Sequence, residues 1–163
     1  MIPCTLDWIA RMNEKHGIRP PKVLDVGSHD SNGNPRSLFP GSEYTGIDIK
    51  KGPNVDVVMS VYNLWSEFQE GEFDAVLCLH LLEHISNIAD ALIEIFDILK
   101  PGGFFYVSMP TIGFPYHSPP DYWRPSEEAM REYIMASYSI LDLEHGKSQF
   151  GKHPIISCLG VKG

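Results

Sequence analysis

Apolar residues along this chain follow two rhythms, and their alternation outlines the fold. In "LDWIARMNEKHG" (6–17), Leu6, Ile9 and Met12, with Trp8 beside them, share one helical face, and Gly17 ends the pattern. "RPPK" breaks the chain and delivers "VLDVG" (23–27), a short run that reads as a buried strand. "EYTGIDI" (43–49) and "VDVVM" (55–59) read as a second and third strand around the turn "KKGPN". "FDAVLCL" (73–79) is nearly continuous in hydrophobicity, as expected of a strand covered on both faces.

Helical spacing returns in "NIADALIEIFDILKPGG" (87–103). Ile88, Leu92, Ile95 and Leu99 form its apolar stripe, Asn87 its N-cap, and Pro101 with Gly102 its stop. "FFYVSMP" (104–110) is the fifth strand. Ser126, followed by Glu127 and Glu128, opens another helix with acids at its positive end. "SILDLEHG" (139–146) and "HPIISCLGVKG" (153–163) leave no room for a helix between them and are expected to pair as an antiparallel hairpin. The order predicts an α/β fold: a Rossmann-like, doubly wound, mostly parallel seven-stranded sheet with a C-terminal antiparallel hairpin. Residues 1–163 read as one domain, with 1–20 as an N-terminal helix and linker.

Composition narrows the function classes. A formal net charge of −8, with no basic run longer than Lys50-Lys51, argues against a nucleic-acid surface. Cys4, Cys78 and Cys158 are widely separated and form no C-x-x-C pair, so neither a disulfide framework nor a metal site is expected. No basic-then-apolar leader and no long apolar segment stands out, so the expectation is a cytoplasmic protein without a membrane span. The stretch 110–125 holds five of the 13 prolines and four aromatic residues, which is too patterned for a plain linker. A stiff loop of that length is expected to face a substrate.

Ligands of an open parallel sheet bind beyond the carboxyl ends of its strands. The first strand ends in Asp25 and Gly27. The second ends in Asp48, a carboxylate placed to accept two hydrogen bonds from a ribose diol. A dinucleotide loop would read G-x-G-x-x-G, whereas the positions two and five after Gly27 hold His29 and Asn32. Asp25 and Asp30 would repel a pyrophosphate and would suit a ligand carrying an ammonium and a sulphonium, which points to S-adenosylmethionine.

Five motifs in order then carry a resemblance that covers nearly the whole chain. "VLDVGSHDSNGN", "YTGIDI", "FDAVLCLHLLEHI", "ILKPGGFFYVSMP" and "GFPYHSPPDYWRPS" together resemble the class I S-adenosylmethionine-dependent methyltransferases, more narrowly the small type 11-like proteins. The resemblance implies that Gly27, followed by Ser28 and His29, lies against the methionine part of the cofactor, with Asp25 nearby. It implies that Asp48 holds the ribose, that Ile49 packs on the adenine, and that Ser60 and Val61 border the adenine edge. Leu79 and His80 would line the wall near the methyl group. Glu83 and His84 of "LEH" read either as functional hallmarks or as a structural cap network. The chain departs from the family pattern where His29 and Ser31 occupy glycine positions, which shifts the turn to Asn32-Gly33. It also has Ser60, with Asn63 nearby, where an adenine-binding acid is usual.

Methyl transfer needs a base only if the acceptor must lose a proton. His80 and His117 are the candidate bases, and His117, Asp121, Tyr122 and Arg124 the candidate substrate contacts. The other reading has Tyr122 and Trp123 packing the loop onto the sheet, with Arg124 paired to an acid. The acceptor class expected is a small molecule or glycan, in a site that is open or is completed by a homodimer or another partner. The competing functions are a cofactor-binding, non-catalytic protein of this fold acting through a partner, and a nicotinamide oxidoreductase. The missing G-x-G-x-x-G argues against the second.

Overall fold

The computed structural model describes residues 3–30, 33–117, 120–148 and 153–163. Helix α1 (Pro3–His16) is followed by β1 (Lys22–Val26), β2 (Glu43–Asp48), β3 (Val57–Val58), β4 (Phe73–Leu79), α2 (Ile88–Ile98), β5 (Leu99–Pro110), β6 (Tyr138–Lys147) and β7 (Pro154–Lys162). Seven strands form one sheet in the order β3-β2-β1-β4-β5-β7-β6. The first five are parallel, and β7 runs antiparallel to both β5 and β6. The expected architecture and its terminal hairpin are both present. Strand order reverses beside β1, so β1 and β4 flank the switch point where ligands gather in such sheets.

Strand alternation divides the core into two layers. On one face Val23, Ala75, Leu77 and Tyr106 pack under Trp8, Ile9 and Met12 of α1. On the other, Leu24, Val76, Phe105 and Val107 pack under Ile88, Ala91, Ile95 and Ile98 of α2, with Met130 and Ile134 beside them. Gly17 closes α1 as its sequence predicts. It adopts φ +64°, and the Ile18 N–H returns to the Asn13 carbonyl at 2.9 Å.

Several elements differ from the sequence pattern. Helix α2 ends at Ile98, and Leu99 is extended (φ −82°, ψ 135°) and pairs with Phe73. Pro101 explains this: it disfavours helical backbone at Lys100 and supplies no N–H for another turn. The α2 stripe is therefore Ile88, Ala91, Ile95 and Ile98, and Leu99 belongs to the sheet. The third strand has shrunk to Val57–Val58. The helix capped by Ser126 is one α-turn (Glu127–Ala129) running into a π-turn (Met130–Ile134). Between β1 and β2 the only described helical element is the 3-10 turn Arg36–Leu38, so the glycine loop opens onto no long helix among the described residues. No described helix is long and apolar enough to cross a membrane.

Lys162 closes the far end of α2. Its Nζ donates to the carbonyls of Phe96 (2.7 Å) and Leu99 (2.8 Å) and stands 4.1 Å above the Phe96 ring. Lys162→Met keeps the stem but leaves both carbonyls without their donor, and is expected to cost about 1–3 kcal/mol in urea unfolding. An unchanged midpoint would show that this tie does not stabilise the fold.

Candidate functional site

The loop after β1 is shaped by hydrogen bonds where related loops rely on glycines. Gly27 takes φ +81°, and the N–H groups of Gly27 and Ser28 both reach the Ile47 carbonyl at 2.9 Å. Asn54, in left-handed conformation (φ +67°), is the hub. Its Nδ2 donates to the Ser28 carbonyl (3.1 Å) and to Asp25 Oδ2 (3.3 Å), its carbonyl accepts from Ser28 Oγ, and its Oδ1 accepts from Arg36 Nε. Gly46 is required beneath this hub, since a Cβ there would stand 2.1 Å from the Asn54 carbonyl oxygen. Asp30 closes the outer part of the loop: its carboxylate accepts from the Gly33 N–H (2.6 Å) and Asn34 Nδ2 (2.7 Å). Gly33 has φ +98°, consistent with its expected place in the turn; Ser31 and Asn32 lie outside the described residues.

Asp25 sits under this loop, buried, with its Oδ2 accepting from Tyr44 Oη at 2.7 Å. Burial lifts its carboxyl to about 6, against the pull of the Tyr44 and Asn54 donors. The charge argument made from Asp25 and Asp30 therefore changes. Both carboxylates hold the loop together, and neither lines the cleft.

The cleft lies at the carboxyl ends of β1, β2 and β4. Val26, Ile47 and Leu81 form its floor, and Ile49, Met59 and Val61 one wall. Asp48 and Ser60 stand at its polar mouth, and His84, Ile85 and Pro120 roof it. Ile49 is 67% exposed, a large aliphatic side chain held in the open beside Asp48. Asp48 Oδ1 accepts from the Lys50 N–H, and its Oδ2 has a long contact of 3.4 Å with the His29 N–H. No Lys or Arg lines the cleft among the described residues, so nothing there answers a pyrophosphate. A larger cleft of about 400 Å³ lies beside Asn87, between Tyr62 and the first turns of α2.

Of the sequence-derived cofactor set, the cleft brings together Gly27, Asp48, Ile49, Ser60 and Val61. Ser28 and His29 lie in the adjoining loop. Leu79 packs into the α1 layer, and Leu81, two residues on, takes the position over Gly27 at 3.1–3.2 Å from where a Cβ would be. His80 is left-handed (φ +54°), and its Nε2 meets Thr5 Oγ1 at 3.0 Å. Burial pushes its imidazole down to about 3, which makes it a poor proton acceptor.

At the roof, the proline-aromatic loop is stitched to the 3-10 turn Leu82–His84. The Tyr122 N–H donates to the Glu83 carbonyl at 2.7 Å, Trp123 Nε1 to the Ile85 carbonyl at 2.6 Å, and His84 Nδ1 to the Pro120 carbonyl. Arg124 forks onto Asp121 and also donates to the carbonyls of Phe114, Pro115 and Trp123. The guanidinium holds Asp121 down at about 2. His117 Nδ1 lies 3.2 Å from Asp121, and burial moves its imidazole below the ordinary value. Arg124 and Asp121 thus pair with each other, Trp123 docks the loop, and the Tyr122 ring stays exposed. Beneath the seam Glu83 is fully buried, and neither carboxylate oxygen has a hydrogen-bond partner. Burial lifts it to about 8.

A family model described as a methyltransferase domain matches residues 4–150. The chain belongs to this family. It is a class I S-adenosylmethionine-dependent methyltransferase domain, as its motifs imply. It is similar to the ubiquinone biosynthesis O-methyltransferase of Dechloromonas aromatica, 31% identical over an alignment of 119 positions that covers 65% of this chain and 50% of that protein. The Erwinia tasmaniensis protein of the same name is 28% identical over 65% of this chain and 48% of its own length. The chain thus spans about half the length of the curated relatives it matches. A shared fold links it to the Burkholderia thailandensis 1,6-didemethyltoxoflavin-N1-methyltransferase, solved with S-adenosylhomocysteine. The TM-score is 0.76 at 19% identity, over 97% of this chain and 78% of that one. The N-methyltransferase NodS from Bradyrhizobium japonicum superimposes with a TM-score of 0.73 at 10% identity, over 96% and 85% of the two chains.

The methyltransferase domain relies on residues that its motifs did not single out. Asn54 builds the loop from the turn "KKGPN", and Arg36 from a position with no sequence signal of its own. Leu81 would share the face of Leu79 if alternation continued past β4, and the left-handed His80 turns it over Gly27 instead; the buried state of Glu83 had no sequence signal.

Two substitutions test the loop. Gly46→Ala is expected to displace the Asn54 carbonyl, costing about 1–3 kcal/mol in urea unfolding and weakening S-adenosylhomocysteine binding. Unchanged binding by calorimetry would separate the hub from the cofactor. Asp25→Asn tests burial through pH. The native state holds the Asp25 proton up to about 6, while the unfolded chain releases it near 3.8. Wild type should therefore lose stability relative to Asp25→Asn as pH rises from 4 to 7, by up to about 3 kcal/mol. Parallel stability curves would refute this.

Proposed function

We propose that this domain transfers a methyl group from S-adenosylmethionine to an oxygen or nitrogen of a small-molecule or glycan-type acceptor. The observation that carries the reading is Ile49, exposed at the tip of β2 beside Asp48 and facing a cleft without cations. An aliphatic surface next to an acceptor-only carboxylate fits a nucleoside, the ring on Ile49 and the ribose diol on Asp48. Ser60 and Val61 border the ring edge. The apolar floor and absence of Lys and Arg suit a sulphonium and leave a phosphate chain without partners. The names O-methyltransferase and N-methyltransferase borne by the relatives support oxygen or nitrogen as the accepting atom.

When bound, the cofactor supplies an activated methyl group on sulphur. The chain's own part is to fix geometry and keep water out. Asp48 and Ile49 set the nucleoside end, and Gly27 under Leu81 sets how closely the backbone approaches the methionine end. The roof of Ile85 and Pro120 excludes solvent from the middle. The acceptor enters past His117 and Tyr122, where the imidazoles of His84 and His117 lie 5.2 Å apart. His80, turned toward Thr5, is assigned no base role.

Calorimetry with S-adenosylmethionine, S-adenosylhomocysteine and NAD tests the reading. Both sulphur nucleosides should bind and NAD should not. Asp48→Ala should weaken S-adenosylhomocysteine about tenfold or more with the circular dichroism unchanged, since two hydrogen bonds to a charged group are lost. Failure of both sulphur nucleosides to bind at millimolar concentration would overturn it.

A further inference from the structure

The cluster at the end of β4 contains more than an acceptor wall needs. Glu83 is 0% exposed, and both of its carboxylate oxygens lack a hydrogen-bond partner. A carboxylate buried in that state is costly unless a proton or a cation answers it. Arg124 is engaged by Asp121 and three carbonyls, and no other Lys or Arg is bonded to Glu83 among the described residues. Imidazoles surround it instead. His84 Nε2 lies 3.8 Å and His80 Nδ1 3.9 Å from Glu83 Oε1, and the ligand atoms of Glu83, His84 and His117 all lie within 4.8 Å of one another.

Each imidazole is held by its other nitrogen. His84 Nδ1 donates to the Pro120 carbonyl, which leaves the Nε2 lone pair toward Glu83. His80 Nε2 is held by Thr5 Oγ1, which leaves Nδ1 toward the same oxygen. His117 Nδ1 lies 3.2 Å from Asp121 and 3.3 Å from Arg124; the tautomer that donates from Nδ1 to Asp121 is the one that leaves the Nε2 lone pair for a metal. Outer nitrogens fixed by a carbonyl, a hydroxyl and a carboxylate are the usual support of metal-binding histidines.

We propose that Glu83, His84 and His117 bind a divalent transition-metal ion of the Zn2+ class at the acceptor end of the cleft, with the fourth position left to a hydroxyl of the methyl acceptor. The donor set decides the class: imidazoles with one carboxylate suit Zn2+ and its neighbours, where Mg2+ and Ca2+ prefer all-oxygen sites. Ligand bonds near 2.05 Å in a tetrahedron put donors roughly 3.3 Å apart, so the Glu83–His84 pair at 3.8 Å needs to close by only about half an ångström, and His117, within 4.8 Å of both, closes the set from its exposed loop. The metal site stands on these contacts alone; the role at the acceptor rests on the methyltransferase reading. In that role the ion makes the hydroxyl more acidic. The hydroxyl gives its proton to solvent, and its oxygen forms the bond to the methyl carbon. The pair of the breaking C–S bond stays on sulphur.

The test uses tag-free, chelator-treated full chain titrated with Co2+ and followed by its visible absorption. One Co2+ per chain is expected, displaced by Zn2+. Affinity should fall about tenfold or more in Glu83→Gln, His84→Ala and His117→Ala, and should hold in His145→Ala, a surface histidine paired with Glu127. His117→Ala lies in the exposed loop and keeps the test valid if the buried variants misfold. No saturable Co2+ binding, or binding indifferent to His84→Ala and His117→Ala, overturns the metal site. S-adenosylhomocysteine titration of the same protein separates the two readings. Its binding without Co2+ binding sinks this inference alone. Co2+ binding without it keeps the metal site and removes the acceptor role.

Discussion

Three hydrogen bonds seat the proline-aromatic loop on the turn after β4, and the arrangement beyond the strand ends depends on that seam. The donors are the Tyr122 N–H, Trp123 Nε1 and His84 Nδ1, and the acceptors are the carbonyls of Glu83, Ile85 and Pro120. Without the seam, Pro120 would not roof the cleft, His117 would not approach His84, and Glu83 would face water. Proline makes the seam economical. A segment with Pro115, Pro119, Pro120 and Pro125 has few conformations to lose on docking, so a few hydrogen bonds suffice to order it. Arg124 and Asp121 stiffen the loop from within, which frees the seam from having to shape it as well.

The loop after β1 solves a related problem by other means. Glycine-rich loops let backbone approach a ligand because nothing projects from them. Here Asn54, Arg36 and Asp30 hold a loop that carries ordinary side chains, and the small residue is moved to Gly46, directly under the Asn54 carbonyl. Asn54 and His80 are the two non-glycine residues with left-handed φ among those described, and both border the site. Hydrogen bonds hold each in place: Asn54 to Ser28 and Asp25, His80 to Ser108 and Thr5. Among the described residues, left-handed non-glycine backbone is thus confined to the two positions that place the loop after β1 and the histidine cluster.

This distribution explains what the amino-acid pattern could and could not reveal. Strand and helix identities were legible because burial sets their periods, and so were the cap at Asn87, the stop at Gly17 and the terminal hairpin. Boundaries were less so: Leu99 fits the α2 stripe by spacing, and only Pro101, acting backwards on Lys100, takes it into the sheet. Asp48 and Ser60 were legible because each stands at a strand end, and Ile49 and Val61 beside them came with the family resemblance. Asp25 was misleading. Its position suggested a charge facing the ligand, yet alternation along β1 turns it to the α1 side, beside Tyr44. The cluster of His80, Glu83, His84 and His117 was not legible as a unit, because His117 comes from another segment and is placed by contacts no spacing rule encodes.

The cleft and the histidine cluster share parts, and the sharing has a direction. His84 and Pro120 line the cleft while belonging to the seam, and Leu81 lies over Gly27 at the start of the same turn. A ligand filling the space between Ile49 and Leu81 would press on Leu81 and Pro120 and so stabilise the turn that presents Glu83 and His84. Linkage makes this reciprocal: whatever orders the histidine cluster would tighten binding in the cleft by the same factor. Asp25 and Asn54 lie on the opposite side of the loop, bonded to β2 and Ser28, and take no part in the seam. The glycine loop therefore serves as the fixed wall of the cleft, and the turn after β4 with its docked loop as the wall that responds.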